Sequence, residues 1–282
     1  MSLTIQSILS ADKVALETAL NLEAVTARIE VQCLLQAVLQ VNRAYLLTHP
    51  ERMLNDDEAA RYRELFERRM KGEPIAYLLG VREFYGLDFK VTPATLIPRA
   101  DTELLVELAL QHIPPRAAVL DMGTGSGAIA LSIAHERRDA QLVAVDASEA
   151  ALAVARDNVQ RLNIANVRLL HSDWFAQLAG ERFDLIVSNP PYIEADDVHL
   201  SQGDVRFEPL SALASGRDGL DDIRRILTEA ATHLKPNGWL MFEHGYDQAA
   251  RVRTLMWQAG FANVRSAQDL AGIERVTLGC FA

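Results

Sequence analysis

The chain has almost no cysteine. Only Cys33 and Cys280 occur in 282 residues, far apart and outside any Cys-x-x-Cys or Cys/His spacing. A structural disulfide and a metal site are therefore not expected, and a reducing, cytoplasmic setting is. Basic charge is scarce too: 28 Lys and Arg stand against 38 Asp and Glu, a net charge of −10. Phosphate backbones need a basic face, so a general nucleic-acid binder is disfavoured. No apolar run approaches the ~20 residues of a membrane-spanning helix. The opening "MSLTIQSILSADK" lacks the basic start and long apolar core of a signal peptide, so no membrane partner is expected. Internal repeats and low-complexity tracts are absent as well.

What remains is an ordinary globular composition, 49% hydrophobic and 23% charged, long enough for one large domain and a small one. The first eighty residues read as helices. "RIEVQCLLQAVLQV" carries an apolar stripe at Ile29, Cys33, Leu34, Ala37, Val38 and Val41. "NDDEAARYRELFERRMKG" has capping residues at Asn55 and Asp56 and a stop at Gly72. Its arginines Arg61, Arg63, Arg68 and Arg69 read as a solvated helix face, with an acidic or ribosomal partner as the sharper alternative. In "EFYGLDFKVTP" the period changes to that of a β-hairpin linking two domains. Beyond Thr102, strands such as "AVLDMG", "QLVAVDA", "VRLLHSD", "FDLIVSN" and "GWLMFEHG" alternate with helices, and "NVRSAQDL" and "RVTLGCF" suggest an antiparallel edge hairpin. That alternation implies a mainly parallel, doubly wound α/β sheet. The expected boundaries are a helical domain over 1–80, a hairpin linker over 81–100 and an α/β domain over 101–282.

The chemistry-bearing residues fall at strand ends. "VLDMGTGSGAIALSIA" reads as strand, glycine turn and helix, with Gly123, Gly125 and Gly127 allowing a sharp turn close to a ligand. Asp146 closes the second strand, where its carboxylate can accept from two ribose hydroxyls. This much also fits a dinucleotide fingerprint, and an NAD-dependent oxidoreductase is a genuine competitor. Asp121 tips the balance, because D-x-G-x-G-x-G resembles the first motif of S-adenosylmethionine-dependent methyltransferases. There an acid beside the glycines can face a positively charged amino group. At the next strand end, Asp173 can accept from an adenine amino group and Trp174 can cover the purine.

The fourth strand runs into Asn189-Pro190-Pro191-Tyr192, a donor-poor turn. An amide or aromatic amino nitrogen is a poor nucleophile, because its lone pair is delocalised. The Asn189 side-chain oxygen and the Pro190 carbonyl can accept its two N–H bonds and aim the lone pair at a methyl group. Tyr192 offers a flat face. No strong base is required, since the methylated nitrogen is acidic enough to lose its proton to water.

"NPPY" occurs in methyltransferases that act on nitrogen conjugated to a planar system. With "GEPIAYLLGVREFYGLDFKVTPATLIPRADTELL", "DMGTGSGAIAL", "DWF", "GDVRFEPLSAL", "DGLDDIRRI" and "ERVTLG", the chain resembles the release-factor glutamine methyltransferases, the PrmC/HemK family. The resemblance runs from about Arg28 onward. It implies a class I methyltransferase domain, with a seven-stranded sheet, behind a small all-α substrate-recognition domain. The implied reaction is transfer of a methyl group from S-adenosylmethionine, leaving S-adenosylhomocysteine, to the glutamine amide of a release factor's Gly-Gly-Gln motif.

The resemblance further places Gly123, Thr124, Gly125, Ser126, Gly127, Asp146, Trp174 and Asn189 around the cofactor, and Asn189, Pro190, Pro191 and Tyr192 around the glutamine. Asn189, Pro190 and Tyr192 would carry the transfer. "LIPRADTE" would line the mouth, with Arg99 and Glu103 as substrate contacts; Ala100 stands where the family usually has proline, which suggests a looser loop. Glu243 and His244 look like an acid–base pair, but a structural or pocket-wall role is expected. Methylation of a nucleic-acid base is the alternative activity, a non-catalytic binding module is another reading, and a monomer is expected.

Overall fold

In the computed structural model, which describes residues 4–281, the N-terminal region folds as α1 (Ile5–Leu20), α2 (Ala24–Leu39), α3 (Arg43–Thr48), α4 (Asp56–Met70) and α5 (Ile75–Leu79). Met1–Leu3 of the opening segment and Ala282 lie outside the described residues. Thr4 and Asn55 start α1 and α4 with reciprocal capping boxes, Asn55 pairing with Glu58. Ile5, Ile8, Leu16, Val31, Leu34, Leu35, Leu46 and Tyr62 form one buried core. The unit is discontinuous: besides Met1–Gly80 it takes in Gln202–Phe207. A charge cluster joins its two segments. Arg69, 2% exposed, makes two bonds to Glu30 at 2.7 and 3.0 Å and one to Asp204 at 3.0 Å. The reading of Arg69 as part of a solvated face is thus corrected, because the partners that sequester it lie on α2 and on the distant segment. Arg68, by contrast, pairs with Glu73 at the surface, its side chain 42% exposed.

The second unit, Val81–Ser201 with Glu208–Ala282, begins with the hairpin β1 (Val81–Phe84) and β2 (Leu87–Lys90). Its turn, Tyr85-Gly86, has positive φ at both residues (51° and 74°), as a two-residue hairpin requires. Phe84 and Phe89 are fully buried in this unit's core, each worth about 1.5–3 kcal/mol. The backbone of Lys90 exchanges hydrogen bonds with the Asn158 side chain at 2.7 and 3.0 Å. The hairpin is therefore an integral part of this second unit.

The remaining elements are α6 (Glu103–His112), β3 (Ala118–Met122), α7 (Ala128–Glu136), β4 (Gln141–Asp146), α8 (Glu149–Arg161), β5 (Val167–His171), β6 (Phe183–Ser188), α9 (Asp221–His233), β7 (Leu234–Glu243), α10 (Ala249–Gln258), β8 (Ala262–Gln268) and β9 (Glu274–Cys280). They build a seven-stranded sheet in the order β5-β4-β3-β6-β7-β9-β8. All pairs from β5 to β7 are parallel, and β9 is antiparallel to both its neighbours. Alternation along the strands divides two cores. Val119, Ala144, Leu185 and Met241 pack with α6 and α7, while Leu120, Val145, Ile186 and Leu240 pack with α9 and α10. The strand order reverses beside β3, whose neighbours are β4 and β6. Such a switch point leaves a crevice at the carboxyl ends of the strands.

Candidate active site

Four strand ends meet there. After β3, the chain turns through Gly123, Gly125 and Gly127, all at positive φ (72°, 57° and 85°), into α7. A side chain would be strained at each, and at Gly127 an added Cβ would also crowd Leu131 at 3.0 Å. The N–H groups of Gly123 and Thr124 both donate to the Val145 carbonyl at 2.9 Å. Gly125 N–H donates to Asp146 Oδ2 at 2.8 Å, and Ser148 N–H donates to its Oδ1 at 2.8 Å. Asp146 thus ties the loop to the end of β4, and each of its oxygens keeps acceptor capacity for a ligand hydroxyl. Burial raises its pKa against those two bonds.

Asp121 lies beneath the loop and is absent from the cavity wall. Its Oδ2 accepts from the Thr124 hydroxyl at 2.6 Å and the Ala130 N–H at 3.2 Å, fixing the loop to the helix. Its Oδ1 is buried without a partner, and burial pushes the carboxyl up to about 7. Beyond β5, Trp174 takes a positive φ of 49°, and its ring lies 3.8 Å from where a Cβ on Gly123 would stand. Asp173 forms an ion pair with Arg225 at 2.6 Å, so the carboxylate expected at an adenine amino group already has a partner.

Beyond β6, the Ser188 hydroxyl donates to the Met122 carbonyl at 2.8 Å and fastens that strand end to β3. Asn189 follows. Its Nδ2 donates to the Thr102 hydroxyl at 3.4 Å, a long bond. Tyr192 and Ile193 both donate N–H bonds to the Leu213 carbonyl, at 3.1 and 2.9 Å. The Tyr192 carbonyl accepts from Gln248 Nε2 at 2.9 Å, and Gln248 Oε1 accepts from Gly245 N–H at 2.8 Å. Burial raises the Tyr192 phenol well above its ordinary pKa, so it stays protonated. Gly219 passes close behind: a Cβ there would sit 2.2 Å from the Tyr192 carbonyl oxygen.

A cavity of about 430 Å³ joins these ends; Gly123, Thr124, Gly125, Ser126, Asp146, Asp173, Trp174, Asn189 and Pro191 all line it. Pro190 and Tyr192 flank Asn189 and Pro191 in the chain without being among the lining residues. Arg99 and Glu103, the expected substrate contacts, both have partners within the chain. Arg99 pairs with Glu208, whose other oxygen accepts Ile97 N–H at 2.9 Å. Glu103 accepts Tyr85 N–H at 2.9 Å and so anchors the hairpin turn. Ala100 opens a 3-10 turn over Ala100–Thr102, closed by Thr102 N–H to the Arg99 carbonyl at 3.1 Å.

Glu243 and His244 do not form an acid–base pair. His244 is fully buried, its Nδ1 lying 3.0 Å from the Gly245 carbonyl and its Nε2 2.8 Å from the Thr277 hydroxyl. A carbonyl only accepts, so Nδ1 carries the proton and Nε2 accepts. Burial lowers the histidine's pKa and keeps it neutral. Glu243, 2% exposed, faces the side chains of Thr102 and Asn189, and burial pushes it up to about 7.

A glycine cradle, a carboxylate with spare acceptor capacity and an indole face on one cavity fit an adenosyl cofactor. Family models match twice: "PrmC N-terminal domain" over residues 17–80 and "Methyltransferase small domain" over residues 100–205. A release factor glutamine methyltransferase from Pseudomonas aeruginosa is 52% identical, covering 91% of this chain and 94% of its own. One from Vibrio cholerae is 48% identical over 99% of this chain and 97% of its own. The chain belongs to the release factor glutamine methyltransferase family. The solved structure of a Pyrococcus furiosus methyltransferase shares the fold of this family member, with a TM-score of 0.54 at 21% identity, covering 76% of this chain and 96% of that one.

For this release factor glutamine methyltransferase family member, sequence reasoning missed the roles of Thr102, Glu208, Arg225 and Gln248. Thr102 and Glu208 lie inside "LIPRADTE" and "VRFEPL", so the segments were visible while the pairings were not. Among the described residues, no group of three or more His, Cys, Asp and Glu could hold a metal ion, and no helix is long and apolar enough to cross a membrane.

Proposed function

We propose that this chain transfers a methyl group from S-adenosylmethionine to the side-chain amide nitrogen of the glutamine in the Gly-Gly-Gln motif of peptide-chain release factors. The observation that carries this reading is that Asn189 and Pro191 line the same cavity as the glycine loop, Asp146 and Trp174. When bound, S-adenosylmethionine supplies an electrophilic methyl group on sulfur. Gly123 to Gly127 would hold its amino-acid end with Asp121 below, Asp146 its ribose, and Trp174 with Asp173 its adenine.

The chain's remaining task is to orient a weak nucleophile. Asn189 Oδ1 and the Pro190 carbonyl accept the two N–H bonds of the glutamine amide and turn its lone pair toward the methyl. The same bonds strengthen as positive charge develops on nitrogen. Pro190 and Pro191 hold the carbonyl direction, and the Gln248 bond to the Tyr192 carbonyl steadies the ring from behind. The proton leaves to water. His244 is neutral and sealed off, and Tyr192 keeps its proton, so neither is called on as a base. Arg99 and Glu103 shape the mouth through Glu208 and the hairpin, and the helical unit reads the body of the release factor. The reading places the enzyme in the cytoplasm as a monomer.

Mass spectrometry of a release factor after incubation with the enzyme and S-adenosylmethionine tests this. One methyl on the Gly-Gly-Gln glutamine is expected, and none when that glutamine is alanine. Asn189→Ala should slow transfer by ~10²–10³-fold, the scale of losing one oriented transition-state partner. Label entering DNA but not the release factor would overturn the assignment.

A further inference from the structure

Asn189 does its work only if its carboxamide faces the right way. With Oδ1 toward the cavity it accepts from the acceptor amide; flipped, it presents an NH₂ group that repels the same N–H bonds. The Thr102 bond at 3.4 Å is too long to enforce the choice, and a hydroxyl can act as donor or acceptor. Something else must discriminate between the two ends of the amide.

The sheet places that group beside it. β6 and β7 are parallel neighbours with Ser188 opposite Phe242, so the next residues, Asn189 just past β6 and Glu243 at the end of β7, stand side by side. The Glu243 carboxylate faces Asn189 and Thr102, is sealed from water, and has one oxygen, Oε2, without a hydrogen-bond partner. Burying such a group is costly, and packing alone would be better served by leucine or methionine. An ionised carboxylate only accepts hydrogen bonds; once protonated it can also donate. We infer that Glu243 is a positioning residue whose carboxylate holds the Asn189 NH₂ group inward and so fixes Oδ1 toward the acceptor amide.

The inference rests on the role given to Asn189 above. It makes the pair sensitive to pH, because protonated Glu243 can donate to Oδ1 and removes the preference. Burial raises the carboxyl to about 7, with Asp101 pushing the same way and Arg275, Thr102 and Asn189 opposing. The Tyr192 phenol also feels the Glu243 charge, while Arg275 is shared with Asp269 at 3.1 Å and Asp101 at 3.5 Å. The correct orientation is therefore held above about pH 7 and lost below it.

The test compares wild type, Glu243→Gln and Glu243→Leu. Wild-type kcat/KM should fall on an acidic limb centred near pH 7. Glu243→Leu should lower kcat by ~10–30-fold at pH 8.5 while S-adenosylhomocysteine, measured by calorimetry, binds within ~3-fold of wild type; such a range is modest for loss of an orienting contact. Gln, able to face Asn189 in either sense, should give an intermediate kcat and no limb. A readout without turnover is the pair of Asn189 side-chain N–H signals in NMR, expected to shift through pH 7 in wild type and not in Glu243→Gln. Failure to methylate any release factor would sink the substrate assignment, yet those signals would still decide the pairing. A limb that persists in Glu243→Gln, kcat within ~3-fold of wild type in Glu243→Leu, or pH-independent Asn189 signals in wild type would each overturn the proposal.

Discussion

Arg69 in the helical unit and Glu243 in the catalytic unit are each 2% exposed, yet their surroundings differ in kind. Arg69 meets two carboxylates and the Glu73 carbonyl at hydrogen-bonding distance. Glu243 and its neighbour in role, Asp121, each keep an oxygen with no partner. A charge matched on every side serves architecture. One left unmatched makes the fold less stable, and it persists where the open valence has something to meet. Asp121 and Glu243 both stand at the carboxyl ends of central strands, beside the glycine loop and beside Asn189.

The contrast can be broken at its strong end first. Arg69→Met leaves Glu30 buried without its partner and should cost about 3–5 kcal/mol of stability, read as a lower urea midpoint. S-adenosylhomocysteine affinity should not change, and a shift in affinity without a shift in midpoint would contradict the division of labour.

At the unmatched end the sign reverses. Asp121 has a carboxyl pKa raised to about 7 in the fold from an ordinary 3.8, so the folded state binds more protons than the unfolded state between those values. Stability should therefore fall as pH rises from about 4 to 7, and the Glu243 carboxyl adds in the same direction. Thermal unfolding of Asp121→Asn across that range should show a flatter dependence than wild type, and an unchanged slope would mean that Asp121 stays ionised in the fold. The smallest effect belongs to the cavity rim. Arg225 and Asp173 are 50% and 55% exposed, and Arg225→Ala should change stability by less than about 1 kcal/mol. A larger loss in urea titration would make this pair structural as well.

The same contrast explains what could be read in advance. The glycine loop, Asp146 and the Asn189–Tyr192 turn were legible because each is a short local pattern at a strand end. Alternating strands and helices likewise gave the mainly parallel sheet and the antiparallel pair at the C-terminus. The order that puts β9 between β7 and β8 was not legible, since strand neighbours are chosen by packing over long separations. Arg69 looked like its exposed neighbours because a charge-rich helix hides which arginine turns inward; its partners lie 39 and 135 residues away in sequence. Glu243 and Asn189 become neighbours only through strand register. Arg99 and Glu103 likewise have partners that no local pattern announces, Glu208 for the first and the Tyr85 N–H for the second.

The Asp204 contact gives the helical unit a history as well as a shape. On the ribosome, Glu30 and Arg69 emerge early, but the acid that completes their cluster is translated 135 residues after Arg69. At about 5–20 residues per second, that interval lasts roughly 7–27 s. For this time the nascent chain carries an arginine with its full set of partners still unmade. The N-terminal unit, first to be synthesised, is thus closed by a piece of chain made long after it.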